Sequence, residues 1–290
     1  SLSNITDITK LMDECKAMGI QTLGPDVNES NLKFTVNHDG NIRFGLGAVK
    51  GVGEAAVQSI MEERKKNGPF LGIFDFVQRV NLNACNKKNM ECLALAGGFD
   101  SFPELKREQY FAANSKGELF LETLMRYGNR YQADKAAAVN SLFGGENVID
   151  VATPEIPQGV ERWSDLDRLN RERDLVGIYL SAHPLDEFSI VLEHVCNTRM
   201  SELEDKAALA GREITMGGIV TSVRRGVSKN GNPYGIAKIE DYSGSTEIPF
   251  WGNDWVTYQG YLNEGTFLYI KARCQAKQWR QDELEIKITS

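Results

Sequence analysis

The sequence predicts a mostly helical region followed by a small antiparallel β-barrel, and three observations carry that prediction. Residues 44–56 read F-G-L-G-A-V-K-G-V-G-E-A-A, four glycines around one lysine running straight into a helical pattern. Apolar residues recur at helical spacing through most of the chain before residue 180. From Ile214 onward the apolar period becomes two, with strands expected near 213–224, 234–241, 245–251, 266–275 and 283–288. A helical insertion near 253–262 falls after the third of these strands, which is the element order of an OB-fold.

The elements follow in order. Ile5, Ile8, Leu11, Met12, Cys15 and Met18 give a first helix, closed by Gly19. Residues 24–36 read as extended chain, and Asp39-Gly40 as a turn. After the glycine-rich hairpin, Val57, Ile60 and Met61 give the next helix one buried face, and Asn67-Gly68-Pro69 ends it. Residues 70–80 are aromatic and helical. Asn86 caps a further helix through Met90, Leu93 and Leu95 that stops at Gly97-Gly98, so this region reads as a second, less regular helix–hairpin–helix. Residues 104–137 read as helical but polar, and 144–159 as a linker. Ser164 is the N-cap of another amphipathic helix. The domains expected are 1–40, a tandem helix–hairpin–helix domain over 41–137, a linker over 138–162, a helical connector over 163–210 and the OB-fold over 211–290.

Composition narrows the function. The chain has 290 residues, a net charge of −7 and no run near the length of a membrane span. Five scattered cysteines without C-x-x-C support neither a disulfide framework nor a zinc ribbon, and point to a reducing cytoplasm. The acidic balance argues against DNA binding over the whole surface but leaves room for local basic patches. The ends, a polar Ser1-Leu2-Ser3-Asn4 without an initiating Met and a stop inside a strand pattern, suggest an excised piece of a longer protein.

The hairpin is the first candidate site. Lys50, Gly51, Val52 and Gly53 form the turn. Glycine permits positive φ there, and Gly53→Val is expected to forbid the turn geometry. The N–H groups of the following helix and the Lys50 ammonium suit a DNA phosphate. A structural helix–turn–helix corner is the plainer reading. A P-loop is excluded because Gly follows Lys50, and G-x-G-x-x-G is excluded by spacing.

The second candidate is the OB-fold. Arg224, Arg225 and Lys229 belong to its first hairpin, Lys277 and Arg280 to its last, with Trp279 in the loop between them. Tyr234, Phe250 and Trp251 lie on strands, and the period sends one of Phe250 and Trp251 inward without saying which. Such cations and rings bind single strands, or else are solvated turns and core. Ser141-Leu142-Phe143-Gly144 pairs two bulky apolar residues before the linker. They dock in a partner's pocket or fold onto their own domain, and the local pattern favours the second. Asp165 and Asp167 on a helix do not face each other, and no nucleophile motif is present.

Several motifs resemble one family in order along essentially the whole chain. Residues 45–56, Phe74-Asp75-Phe76, residues 95–100 (L-A-G-G-F-D) and residues 177–188 look like the C-terminal half of the bacterial DNA polymerase III alpha subunits, the replicative family C polymerases. Residues 218–251, with I-V-T-S-V-R-R at 219–225 and E-D-Y-S-G-S at 240–245, resemble their OB domain. The resemblance implies the end of the fingers region, a tandem helix–hairpin–helix domain gripping duplex DNA, a sliding-clamp peptide and an OB-fold near the single-stranded template. The clamp peptide, commonly Q-x-S-L-F in the family, maps onto Val139, Asn140, Ser141, Leu142 and Phe143, with Val139 in place of Gln. Ala182 stands where the family commonly has Gly. The resemblance also implies other replicase subunits as partners and no membrane. It further implies a full-length nucleotidyltransferase that uses Mg²⁺, with the palm carboxylates upstream, so that this piece holds no cofactor and cannot polymerise. A DNA ligase fragment is the enzymatic rival, but it needs K-x-D-G, which does not occur. An adaptor that uses the same modules to bind protein is the non-enzymatic one.

Overall fold

The structure is a computed structural model that describes residues 11–12, 14–140, 151–180, 182–277 and 280–290. The chain divides into two compact units, residues 1–182 and 183–290.

In the first unit residues 14–17 are helical, within the first helix expected from the sequence, and three two-residue strands come after them, β1 (Thr22–Leu23), β2 (Thr35–Val36) and β3 (Ile42–Arg43). They form a small sheet in the order β1-β3-β2. Six helices follow: α1 (Glu54–Asn67), α2 (Ile73–Arg79), α3 (Lys87–Ala96), α4 (Arg107–Tyr110), α5 (Phe120–Asn140) and α6 (Asp165–Val176). Their ends follow local chemistry. The Asn86 side chain accepts from the Asn89 N–H and caps α3, and Ser164 caps α6 in the same way. Gly97 and Gly177 end those helices in the left-handed conformation.

Packing of this unit centres on aromatic residues. Phe76 meets Phe70, Phe99 and Phe102 at centroid distances of 4.7, 5.1 and 6.4 Å. Each such buried ring contributes about 1.5–3 kcal/mol. Arg79 bonds Glu63 and Asp75 and the carbonyls of Gly68 and Pro69, which locks the α1–α2 turn.

The continuous helical pattern expected over 104–137 is broken. Asn114 Oδ1 accepts from the N–H groups of Lys116 and Glu118, and Gly117 adopts a φ of +78°. An Asn side chain that binds its own backbone favours a turn over a helix. Helix α5 begins only after it.

The second unit is a five-stranded antiparallel sheet curled as the half-barrel of an OB-fold. Its strands are β4 (Glu213–Val227), β5 (Pro233–Asp241), β6 (Gly244–Trp251), β7 (Phe267–Lys277) and β8 (Arg280–Ile288), in the order β6-β5-β4-β7-β8. Two short helices belong to it, α7 (Ser189–His194) and α8 (Asn253–Tyr258), the latter between β6 and β7 as expected. Long β4 serves two partners: residues 213–219 pair with β7 and residues 219–227 with β5. Gly218 allows the crossover, since a β-carbon there would lie 2.6 Å from the Glu240 carbonyl oxygen. The concave face buries Met216, Val220, Ile239, Ile248, Phe250 and Trp255. Gly235 leaves room for the Trp255 ring.

Candidate nucleic-acid interfaces

The glycine-rich hairpin is built by three pieces of chain. Where a helix–hairpin–helix has the helix before its turn, the chain makes only a single 3-10 turn, Leu46–Ala48, and α1 follows. Val49 and Val52 are buried and pin the turn from below, so Val52 can offer a ligand only its backbone. Lys50 and Gly51 are exposed at the tip. The Lys50 N–H is already used, donating to the Leu175 carbonyl at 2.9 Å.

The positive φ belongs to Gly51, at +85°, not to Gly53. Gly53 has φ −77° and ψ 152°, which any residue adopts, and a β-carbon there meets nothing within 4 Å. The expected damage from Gly53→Val on turn geometry is therefore corrected to Gly51. There a β-carbon would also lie 2.6 Å from Cys92 Sγ. Gly51→Ala is expected to cost about 2–4 kcal/mol, from left-handed strain plus overpacking, and Gly53→Ala well under 1 kcal/mol. Urea unfolding of the two variants checks this. Equal midpoints would remove Gly51 from the account.

Gly53 is the N-cap of α1 and provides no side-chain cap, so the first N–H groups of α1 remain open to an anion. Glu54, at the first helical position, competes for that positive end, its carboxylate also accepting from Gln58 at 3.3 Å. The site's cations therefore matter more than the helix end. The structure adds a cation that sequence reasoning missed: the Lys88 Cε carbon is 3.7 Å from where a Gly51 β-carbon would be. Asn89, buried in the same turn of α3, donates from Nδ2 to the Gly51 carbonyl at 2.8 Å. The two hairpins thus meet at Gly51. A sequence signal did exist. Lys87 and Lys88 open a helix, where cations oppose the helix dipole, and Lys87 is paired with Glu122 at 2.5 Å. Among the described residues neither Lys50 nor Lys88 has an ion pair.

On the OB-fold, register decides which candidates share a face. Gly226, Tyr234 and Trp251 lie directly opposite one another on β4, β5 and β6. The bare Gly226 leaves room for the Tyr234 ring, since a β-carbon there would sit 2.7 Å from Tyr234 Cζ. Tyr234 and Trp251 pack with centroids 4.8 Å apart, and Trp251 is 55% exposed. Phe250 points into the core. The open choice between Phe250 and Trp251 is thereby decided, and Trp251 joins the candidates.

The basic residues do not gather as one set. Arg224 and Arg225 are neighbours on a strand and so face opposite ways. Arg224 lies on the Tyr234–Trp251 face and pairs with Glu247 at 2.6 Å. Arg225 lies on the other face, its guanidinium 5.8 Å from the Trp255 ring centroid. Lys229 is exposed in the β4–β5 turn. Lys277 ends β7 and Arg280 begins β8. The Lys277 end of β7 and the β4–β5 turn lie beyond opposite ends of β4. Trp279, Ser141, Leu142 and Phe143 lie outside the described residues, and Val139 and Asn140 end α5.

Comparison with known proteins matches these modules. The model of the helix-hairpin-helix motif covers residues 19–110, and that of an OB-fold nucleic acid binding domain covers residues 214–290. Across 94% of the chain the sequence is 32% identical to the DNA polymerase III subunit alpha of Pasteurella multocida. The chain is a homologue of a C-terminal segment of the DNA polymerase III alpha subunits. The Mycobacterium tuberculosis subunit is 32% identical over 92% of the chain, and that of Pseudomonas aeruginosa 31% over 93%. The chain spans 23%, 22% and 23% of the length of these three alpha subunits. Among solved structures, mitochondrial single-stranded DNA binding protein from S. cerevisiae aligns with 27% of this chain and 87% of its own. The identity is 14% and the TM-score 0.20, too slight a likeness to argue from. Among the described residues no helix is long and apolar enough to cross a membrane, and no group of three or more His, Cys, Asp or Glu converges that could hold a metal ion.

Proposed function

We propose that this alpha-subunit segment handles DNA for a replicative, DNA-directed DNA polymerase of the bacterial cytoplasm. The observation that carries the reading is the coincidence of an alpha-subunit homology with an exposed Lys50–Gly51–Lys88 cluster at the junction of two hairpins. Lys50, Lys88 and the N–H groups near Gly51 and Gly53 take phosphates of the duplex and leave the bases unread, because ammonium and amide N–H groups recognise charge and not base edges. The Tyr234–Trp251 face and the loops carrying Lys229, Lys277, Trp279 and Arg280 take the single-stranded template. The peptide Val139, Asn140, Ser141, Leu142 and Phe143 docks on the sliding clamp. The division proposed is 1–40 for the end of the fingers, 41–137 for the duplex grip, 138–162 for clamp peptide and linker, 163–210 for the connector and 211–290 for the OB-fold. Mg²⁺ and nucleotide transfer belong to the whole polymerase, and interactions with other replicase subunits are part of the same proposal.

The test is duplex binding against salt. Removing one phosphate-neutralising cation makes the slope of log K on log salt shallower by about 0.9. Lys50→Ala and Lys88→Ala should each do so for every duplex sequence, and the double variant by about twice that. Unchanged slopes in all three would remove the hairpin from DNA binding and favour the reading of an adaptor that holds proteins.

A further inference from the structure

We propose that Glu247 acts as an electrostatic brake on the OB face, holding Arg224 until a nucleic-acid phosphate displaces it. The inference rests on the reading of that face as a single-strand platform, and it names the residue that sets its strength. The ladder lays the face out in rows. Gly226, Tyr234 and Trp251 form one row, Arg224, Ile236 and Pro249 the next, and Ser222, Lys238 and Glu247 the third. Rows on one face are two residues apart, about 7 Å. Arg224 is therefore one row from the aromatic pair, within reach of the phosphate of a nucleotide whose base stacks on Trp251. Its guanidinium is instead bonded diagonally to Glu247, Nη2 to Oε2 at 2.6 Å.

Both partners are more than half exposed, at 65% and 52% of their side chains. An ion pair in that setting is weak, so a phosphate can replace the carboxylate at little cost. The other charged groups of the face are Lys238, directly across from Glu247, and Glu240, one row further on. Glu247, on the edge strand, thus has two cations beside it that could otherwise serve the strand. While it holds Arg224, the face binds by stacking and has a shallow salt dependence. When it is neutralised, Arg224 becomes a phosphate ligand.

The experiment measures binding of fluorescent oligothymidylate by the full chain across a salt series. Glu247→Gln should tighten binding at low salt by about threefold to fivefold, the strength of an exposed pair. It should also steepen the log–log slope by about 0.7, the share of one single-strand phosphate. Glu213→Gln, the same charge change at the exposed start of β4, should leave the slope unchanged. Adding Arg224→Ala to Glu247→Gln should abolish the gain. A Glu247→Gln slope no steeper than that of Glu213→Gln, or a gain that survives removal of Arg224, overturns the brake. Trp251→Ala separates the two levels. If it leaves binding intact, the stacking reading of the face fails, and the brake with it. If it weakens binding while Glu247→Gln does nothing, the platform stands and the brake alone falls.

Discussion

Arg107→Ala is expected to destabilise the helical unit by about 3–5 kcal/mol, the cost of breaking a buried ion pair from one side. Arg107 is 7% exposed and joins distant segments. Its Nη1 donates to Glu172 Oε2 at 2.9 Å and to the Leu95 carbonyl at 3.1 Å, and its Nε and Nη2 donate to Asp100. Burial alone would lower its pKa, but the bonds to Asp100 outweigh this and hold it above its usual value. Removing the guanidinium takes this cation away from the Glu172 carboxylate, which is 1% exposed. It also releases α6, which carries Glu172 and whose Leu175 carbonyl holds the Lys50 N–H. Duplex binding should therefore weaken in Arg107→Ala even under conditions where it stays folded. Urea unfolding with both single variants and Arg107→Met/Glu172→Met checks the argument. The double variant should be more stable than either Arg107→Ala or Glu172→Ala, because it removes both charges together. A double variant destabilised by the sum of the two single effects would show that the pair acts through packing alone.

The residues of this latch are 65 positions apart, and nothing in the local pattern around Arg107 points to Glu172. That marks where the sequence stops being readable. Strands β4 to β8 were legible because one sheet face is buried, and burial writes a period of two into the chain. The caps at Asn86, Ser164 and Gly97 were legible because the backbone needs those residues at helix ends. The hairpin was visible from its glycines, yet which glycine holds the positive φ depends on packing against Cys92, a residue from another helix. The pairing of Arg224 with Arg225 failed for a simple reason. Adjacency in sequence is opposition on a strand, and one rule applied to both residues separates them. The same rule said that Phe250 and Trp251 part company, but its sign comes from which side the core fills. Lys88 was missed because its neighbour at Gly51 is distant in sequence.

Trp251→Ala is expected to cut oligothymidylate affinity by about 1–3 kcal/mol, the worth of one base stacked on an aromatic ring. The ring is 55% exposed on the edge strand β6, and Tyr234 packs against it. Its removal should cost stability only about 0.5–1.5 kcal/mol, the worth of a cross-strand aromatic pair. Phe250→Ala next to it should do the reverse. Phe250 is 3% exposed, and truncating a buried Phe costs about 3–5 kcal/mol of stability. Trp251→Phe should keep most of the binding, because it keeps the stacking surface. Arg225→Ala should leave binding unchanged, since Arg225 lies over Trp255 on the opposite face. Tryptophan fluorescence provides the readout: quenching by the oligonucleotide should shrink in Trp251→Ala, while the buried Trp255 stays silent. The comparison decides between surfaces. If Trp251→Ala binds as tightly as the parent and Arg225→Ala does not, the strand runs over the Arg225 side and the Tyr234–Trp251 row is free for a protein partner.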